Sequence, residues 1–550
     1  MEKLQIIPLG GLGEVGKNMT VFEYGRNILI VDVGMMFPEG YMLGVDHIIP
    51  DYEYLRGKED RIRGVVVTHG HMDHIGALSH FLQEFDVPVY ATKLTRGLIE
   101  VNLRRNLRKS VTLHTIQPGD VLHLGPFQVE PYHVAHSIPD AVGLGITTPV
   151  GLVVHSGDYK LDPTPVDGWP TDLRKLVEFS KRGVLVLLAD STNADQPGTT
   201  PSERTLPATL GNIFREADGR IIVATFASLI SRIQQVMDVS AKFGRKVAVA
   251  GTSMVKNVKM ARKLGYLEVP ENLMVSLHES KHLPPNQVTV LATGSQGETR
   301  SIMGKLTSGG PSPLRLAQGD TVILSSHTIP GNEESVHNVI NRLFQQGANV
   351  IYHPLAPVHV SGHASQEEQK TLLSIVKPKF FVPVHGELRH LKQHAILAEQ
   401  LGIPRENIAV VENGHVLRFS PDKMQVGERI PGGYIFVDGG LIGASLDESI
   451  IQEREQLAMS GVCAISFRYH EADGSLIGEP YITSRGFVKF AVTKELWAGA
   501  RQEVRNTLKS AQPGTPTENM ESAVRKVLSN YFYRQVRNRP NILVTAIPEK

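Results

Sequence analysis

The segment Thr68-His69-Gly70-His71-Met72-Asp73-His74-Ile75-Gly76 constrains this chain more than any other. Three imidazoles and a carboxylate fall within six residues, directly after the apolar run Gly64-Val65-Val66-Val67, which reads as a strand. Histidines two apart at a strand end can offer ring nitrogens to one metal ion. Asp73 and His74, on the turn that follows, are displaced toward a second. Ligands that are all nitrogen and oxygen suit Zn²⁺, with Mn²⁺ as competitor. The single cysteine, Cys463, rules out a thiolate cluster and a disulfide framework.

A two-metal site needs more ligands than these four. His133 and His136 in YHVAHSIPD, His155 and Asp158 in VVHSGDYK, and His385 in PVHGE are the downstream candidates. Asp158 follows an apolar strand beside Gly157, as a carboxylate bridging two metals should. The residues alone leave open the choice between His133 and His136, and leave His155 in play.

The frame around this motif is an α/β protein. Runs rich in β-branched residues (LQIIPL, MTVFEY, NILIVDVG, KVAVAG, VTVLATGS, DTVILSSH, NVIYHP, KFFVPVHGE) read as strands, and helical stretches lie between several of them. Thr200-Pro201-Ser202-Glu203 has the order of a capping box, with Thr200 at the N-cap. Beyond about residue 450, alternating strands, a helix carrying Val524, Val527, Leu528 and Tyr531, and a last strand NILVTAIP form a separate small unit. With 41% hydrophobic and 21% charged residues over 550 positions, a largely disordered chain is excluded. Lys and Arg number 57 against 56 Asp and Glu, so a phosphate-binding surface has to be a local patch. Arg104, Arg105, Arg108 and Lys109, expected on neighbouring helical turns, are one such track, and Arg525, Lys526, Arg534, Arg537 and Arg539 another. No run approaches the roughly 20 apolar residues of a membrane span, and the start MEKLQIIPLGG is unlike a signal peptide. The expected location is the cytoplasm, away from membranes.

Gly11-Leu12-Gly13-Glu14-Val15-Gly16 matches the dinucleotide fingerprint GxGxxG, with Asp32 at a suitable distance. That fingerprint requires a helix to begin inside it. Here the motif runs into NMTVFEYGRNILIVD, which reads as a hairpin, so the glycines are expected to make a tight strand-to-strand turn.

HGHMDHIG, HSIPD, SGDYK and PVHGE, in that order, resemble the metallo-β-lactamase superfamily. Carried over by position, the resemblance implies that His69, His71 and His136 hold one metal, that Asp73, His74 and His385 hold the other, and that Asp158 bridges. The stretch between Asp158 and His385 is long enough for an extra domain. It resembles the β-CASP domain of nucleic-acid-processing members through Asp190 in LADSTNAD, His327 in SSHTIPGNE, and His359-Val360-Ser361-Gly362-His363. Ser228 and Arg232 in TFASLISRIQQ are similar to that family's phosphate-contacting helix start, with Leu229 where an Asn is common. Together with GGLGEVGKN and GVDHIIPD, the whole chain resembles bacterial ribonuclease J.

The resemblance implies an αββα sandwich with an inserted β-CASP α/β domain and a small C-terminal α/β domain. The expected divisions are 1–200 and 351–440 for the sandwich, 201–350 for the insert, 441–450 as linker and 451–550 for the C-terminal domain. It also implies a two-zinc phosphodiesterase acting on single-stranded, 5′-monophosphorylated RNA as a 5′-to-3′ exonuclease with endonuclease activity. Asp73 would orient the attacking water, and His363, held by Asp190, would protonate the leaving oxygen. Ser228, Arg232, His327, His359, Val360, Ser361, Gly362 and His363 would bind substrate. A homodimer or homotetramer is expected, and Asp46 and Asp438 are candidates for a structural Ca²⁺. The competing readings are a small-molecule thioesterase or lactonase and a DNA-processing nuclease of the same superfamily.

Overall fold

The apolar runs become strands where the residues place them. The computed structural model describes residues 2–443, 446–489, 493–509 and 515–549. By internal contacts the chain divides into two units, Met1–Gly40 with Asp46–Val437, and Tyr41–Val45 with Asp438–Lys550.

The first unit contains two sheets packed face to face. One has eight strands, running in space from Met424–Arg429 through His415–Phe419, Leu4–Gly10, Met19–Tyr24, Asn27–Val31, Ile62–Val66 and Val89–Ala91 to Leu113–Thr115. The other has six, from Phe380–Val384 through Val184–Asp190, Leu152–His155, Val142–Thr147 and Phe127–His133 to Leu122–Leu124. Ile6, Phe22, Leu29 and Val66 of the first meet Phe127, Leu144, Val153, Val186 and Val382 of the second in a single buried cluster. That shared core is what a sheet-on-sheet sandwich buries. Helices Leu173–Arg182, Gln366–Val376 and Leu388–Gln400 pack on one another against the second sheet, and Lys93–Asn102 packs on the edge of the first.

A third sheet of six parallel strands lies between residues 221 and 352, with its own core of Ile222, Ala248, Val290, Val322 and Leu343. Its chain leaves the sandwich after Val184–Asp190 and returns as Phe380–Val384. These two strands pair in parallel, with Asp190 opposite Val384. The insertion is therefore spliced between neighbouring strands, so residues far apart in sequence, Asp190 and His385, end up at one sheet edge.

Gly11–Gly16 makes the expected turn: the chain passes from Leu4–Gly10 to the antiparallel strand Met19–Tyr24 with no helix between. Gly11 has φ +87, and a Cβ there would lie 2.1 Å from Asn18 Oδ1, so glycine is required.

Two local expectations are corrected. Thr200 caps nothing; its N–H goes to Glu368 Oε2 (2.7 Å) and its hydroxyl to the His363 carbonyl (2.6 Å). Ser202 is the residue whose side chain caps the short 3₁₀ turn Glu203–Thr205, and Pro207 sits in the first turn of the helix Leu206–Glu216. The basic run is not helical either, because Lys93–Asn102 ends before it. Arg108 there donates to the carbonyls of Leu103 and Val101, and Arg104 to Gln83.

The second unit has a sheet in the order Leu476–Arg485, Val462–His470, Asn541–Glu549, backed by helices Lys494–Lys509 and Thr517–Val536. Val524, Leu528, Tyr531 and Phe532 pack with Trp497 and Phe467 in its core, and Val527 is half-buried. Among the described residues, no helix is long and apolar enough to cross a membrane.

Candidate metal centre

The strand Ile62–Val66 runs into Thr68 and His69, both fully buried, and then into a single helical turn, Met72–Ile75. His71 precedes that turn in an extended conformation, so its ring swings back toward His69. His71 Nδ1 lies 3.1 Å from His69 Nε2 and 3.2 Å from His136 Nε2. The helical turn then throws Asp73 and His74 to the other side. It is held there because the Asn18 N–H donates to the Asp73 carbonyl at 2.9 Å. Gly34 makes that approach possible, since a Cβ there would sit 1.6 Å from the same carbonyl oxygen.

Asp158 and His385 arrive from the second sheet. Asp158 Oδ2 is 3.1 Å from His74 Nε2, 3.6 Å from His69 Nε2 and 4.0 Å from His136 Nε2. Its Oδ1 is 3.0 Å from His385 Nδ1. The carboxylate thus faces both imidazole groups. His385 adopts φ +53, a left-handed conformation that a bulky side chain adopts only when its surroundings impose it. Three overlapping sets of candidate ligand atoms result, each within 4.8 Å: His69, His71 and His136; Asp73, His74, Asp158 and His385; and Asp158, Asp190, His363 and His385.

This donor set fits metal. His385 Nε2 is buried with no hydrogen-bond partner, which costs free energy unless a ligand takes it. Burial holds the imidazoles of His69 and His136 well below their ordinary pKa and that of His71 at about 4, so these rings are neutral and offer lone pairs. The second set differs. Burial opposes charge on His74 and His385 too, but Asp158 with the neighbouring carboxylates holds both pKa values well above the ordinary one. Those imidazoles take up a proton in the metal-free protein that a bound cation would replace.

The ring orientations are fixed from behind. His136 Nδ1 donates to the Gly362 carbonyl at 2.7 Å, leaving Nε2 to face inward. Gly362 has to be glycine, as a Cβ would lie 2.6 Å from His136 Cε1. His74 Nδ1 donates to Asp32 Oδ2 at 2.7 Å, and Asp32 also accepts from the N–H and hydroxyl of Thr68 at 2.8 Å each. In the sequence Asp32 stands out only through the false dinucleotide fingerprint; nothing in VDVG marks it as a histidine's partner. Asp32→Asn removes the charge but keeps a residue tolerant of the φ of +62 seen there. Metal affinity should fall about 10- to 100-fold, read by chelator competition, with the melting temperature of the chelated protein little changed. Undiminished affinity would show that the His74 tautomer is set some other way.

His133 and His155 are not ligands in this arrangement. His133 Nδ1 donates to the Pro170 carbonyl, and its ring stacks on Trp169 at 4.0 Å. His155 Nδ1 accepts from the Gly157 N–H at 3.0 Å.

Beside the centre, His363 Nδ1 donates to Asp190 Oδ2 at 2.7 Å. Burial lowers the His363 pKa, but Asp190 outweighs it and raises the value above the ordinary one. Ser361 Oγ accepts from Asn193 Nδ2 at 2.9 Å, and Asn193 also donates to the His363 carbonyl at 3.0 Å, so Asn193 locks the loop; the sequence reading did not single it out.

All of this opens on a cavity of about 1170 Å³ lined by both the sandwich and the inserted domain. His71, Asp73, His136, His363 and His385 lie on it together with Ser228, His327, His359, Ser361 and Gly362. The walls carry charge of both signs, with Lys256, Arg300, Lys305 and Arg389 set among Glu14, Glu39, Asp195, Glu298, Glu333 and Glu387. Val360 is buried. Arg232 does not reach the cavity, which corrects its expected role as a direct contact. It is 1% exposed, and its guanidinium donates to Ser325 Oγ (2.5 Å), the Val358 carbonyl (3.2 Å) and Gln235 Oε1 (3.1 Å). Asp46 pairs with Arg300 at 2.5 Å and Asp438 with Arg454 at 2.9 Å, so each calcium candidate already has a cationic partner.

Comparison with known proteins identifies the domains that carry these residues. Residues 12–191 match the metallo-β-lactamase superfamily, 218–343 the ribonuclease J β-CASP domain, 348–410 the Zn-dependent metallo-hydrolase RNA specificity domain and 449–548 the ribonuclease J C-terminal domain. The chain is 45% identical to ribonuclease J of Synechocystis over 88% of its own length and 76% of the relative's. It is 41% identical to ribonuclease J of Thermus thermophilus over 99% and 95%, and 36% identical to ribonuclease J2 of Bacillus subtilis over 98% of each. A crystal structure of an Enterococcus faecalis protein of unknown function shares the fold at TM-score 0.52 and 15% identity, covering 76% of this chain and all of that one. With the ligand-bearing loops, the insert between Asp190 and His385 and the C-terminal unit all matched at this identity, the chain belongs to the ribonuclease J family.

Proposed function

We propose that this chain hydrolyses phosphodiesters of single-stranded RNA at two zinc ions, with Mn²⁺ as a possible substitute, and that it works in RNA maturation and decay in the cytoplasm. The observation that carries the reading is the pair of candidate ligand sets meeting at Asp158 on an open channel whose walls carry both cations and carboxylates. A channel admits a polymer, whereas a thioesterase or lactonase needs only a closed pocket. When bound, the ions would supply an acidified water and polarise the scissile phosphate.

The chain's own residues do the rest. Asp73 lies within 3.5 Å of both His74 Nε2 and His385 Nε2, where a carboxylate can also orient an attacking water. Breaking the bond from phosphorus to the 3′-oxygen leaves an alkoxide that needs a proton. His363 is placed to give it: its Nδ1–H is held by Asp190, so Nε2 is the nitrogen that delivers. Ser228, His327, His359 and Ser361 share the wall beside it and suit a terminal 5′-phosphate. Arg232 contributes charge rather than contact, being one of the cations that depress the His359 pKa after burial itself. A 5′-phosphate seated there favours exonucleolysis from the 5′ end, with endonuclease action on strands that thread the open channel.

The C-terminal unit holds none of these groups. Its sheet exposes Tyr481, Leu543 and Ile547 on one face, an apolar surface suited to a homodimer or homotetramer.

The test is degradation of labelled RNA bearing a 5′-monophosphate or 5′-triphosphate, with metal measured on the same preparation. Rapid release of mononucleotides from the monophosphate and at least about 10-fold slower release from the triphosphate are expected, since the extra charges overfill the pocket. Equal rates would remove the 5′-phosphate pocket from the reading. Hydrolysis of a nitrophenyl ester with none of RNA would favour the small-molecule alternative. Equal cleavage of single-stranded DNA would place the enzyme among DNA-processing nucleases, because only the 2′-hydroxyl separates the two substrates.

A further inference from the structure

The glycine turn that mimics a dinucleotide fingerprint lies on the rim of the catalytic channel. Gly13, Glu14, Val15 and Gly16 all line the cavity. The turn is tied to the metal centre: the Gly13 N–H donates to the Gly386 carbonyl at 3.0 Å, and the Gly386 N–H to the Gly11 carbonyl at 3.2 Å. Gly386 directly follows His385. The same turn carries a buried ion pair, Lys17 Nζ to Glu14 Oε1 at 2.8 Å, with Lys17 fully buried. Glu14 Oε1 is itself fixed by the Gly11 N–H (3.1 Å) and Asn413 Nδ2 (2.8 Å).

Above this pair sits Tyr434, with the Lys17 ammonium 5.0 Å from its ring centroid. Tyr434 lines the channel and is 41% exposed. Its strand is anchored by antiparallel pairing with His47–Pro50, Tyr434 lying opposite Pro50. The ring therefore combines a buried cation at one face, an open channel, and a backbone held in a sheet. A cation is attracted to a ring's face, which helps hold the ring in place for stacking on a nucleobase. Every base has a π-face, so such a contact tolerates any sequence. The feature is a single aromatic platform rather than a further basic patch, on the same cavity as His71, Asp73 and His385.

We propose that Tyr434 is a base-stacking platform that holds one nucleotide of the RNA in the channel, with Glu14 and Lys17 positioning its ring. This rests on the ribonuclease reading above. It assigns the Gly11–Gly16 turn the task of keeping that platform in register with His385.

The test uses the metal-loaded full chain and short single-stranded RNAs in which one position at a time is abasic. For the wild type, one abasic position should raise KM by roughly 10-fold, with kcat little changed. Tyr434→Ala should raise KM by a similar factor on intact RNA and show no further penalty at that one position, while other abasic positions keep theirs. Tyr434→Phe, which retains the ring, should restore binding. Metal content and melting temperature of each variant report whether the fold survives. Additive penalties for Tyr434→Ala and every abasic position would overturn the stacking role. So would a loss in kcat alone, or failure of Tyr434→Phe to rescue a well-folded protein. A wild type that cleaves RNA yet shows no position-dependent abasic penalty would refute the platform and leave the ribonuclease reading standing. A wild type inactive on all RNA would overturn both.

Discussion

Asp158→Ala is expected to strip the protein of metal more completely than loss of any one imidazole. None of the other candidate ligands faces both the set of His69, His71 and His136 and the set of Asp73, His74 and His385. Asp158 faces both: Oδ2 lies within 4.0 Å of His69, His74 and His136, and Oδ1 lies 3.0 Å from His385. Its pKa is held well below the carboxylate range; burial opposes that, but His385, His74 and His69 overcome it. The carboxylate is therefore charged, and its removal leaves Asp73 as the one carboxylate among the remaining ligands of the proposed two-ion site. Substitution of a residue that merely orients a ligand costs about 10- to 100-fold in affinity. Loss of the shared carboxylate should exceed that for both ions, and RNA cleavage should fall to background. Metal analysis after dialysis, together with circular dichroism to show the fold intact, checks the result. Two equivalents still bound would refute the bridging position.

The metal loop was legible because its ligands are local. Three histidines and an aspartate within one strand-to-helix turn leave few arrangements, and the apolar runs around them announce their strands by β-branched composition alone. The ligands from elsewhere were not legible from the residues, because sheet pairing places them. His133 and His136 are both plausible in YHVAHSIPD. The structure separates them only because His133 closes its strand and stacks on Trp169, while His136 lies past the strand end, where the Gly362 carbonyl turns its ring inward.

Arg232 shows the converse. A helix-start arginine near a serine looks like a phosphate contact, yet the guanidinium is buried, donating to Ser325, Val358 and Gln235, with Glu203 3.5 Å away. Spacing along a chain carries residue type, not the direction of the side chain. Thr200 fails as a cap for the same reason, since Glu368 and the His363 carbonyl, both distant in sequence, compete for its donors. Asp32 was hidden twice over, by a short motif that fits a false fingerprint and by a partner, His74, on the neighbouring strand's loop.

His363→Ala is expected to leave both metals bound and RNA binding largely intact while slowing cleavage by about 100-fold or more, the range for loss of a general acid. The geometry separates its role from that of the ligands. Its Nδ1 is taken by Asp190 at 2.7 Å, and His136 and His385 stand 5.0 and 5.4 Å away ring to ring; it shares a third cluster of donor atoms with Asp158, Asp190 and His385, but its Nδ1 there is already committed to Asp190. Asp190 accepts from the Thr192 N–H and hydroxyl as well, which leaves it rigid and able to hold the His363 ring in one tautomer. Asp190→Asn should therefore reproduce part of the His363→Ala defect through misorientation, and the double variant should be little worse than His363→Ala alone, because the two act as one unit. The decisive comparison is the leaving group. A substrate whose departing oxygen needs no proton, such as a nitrophenyl phosphodiester, should be cleaved by His363→Ala at close to the wild-type rate if the residue donates a proton. If His363 only holds the phosphate, both substrates should lose the same factor, and the acid role would fall.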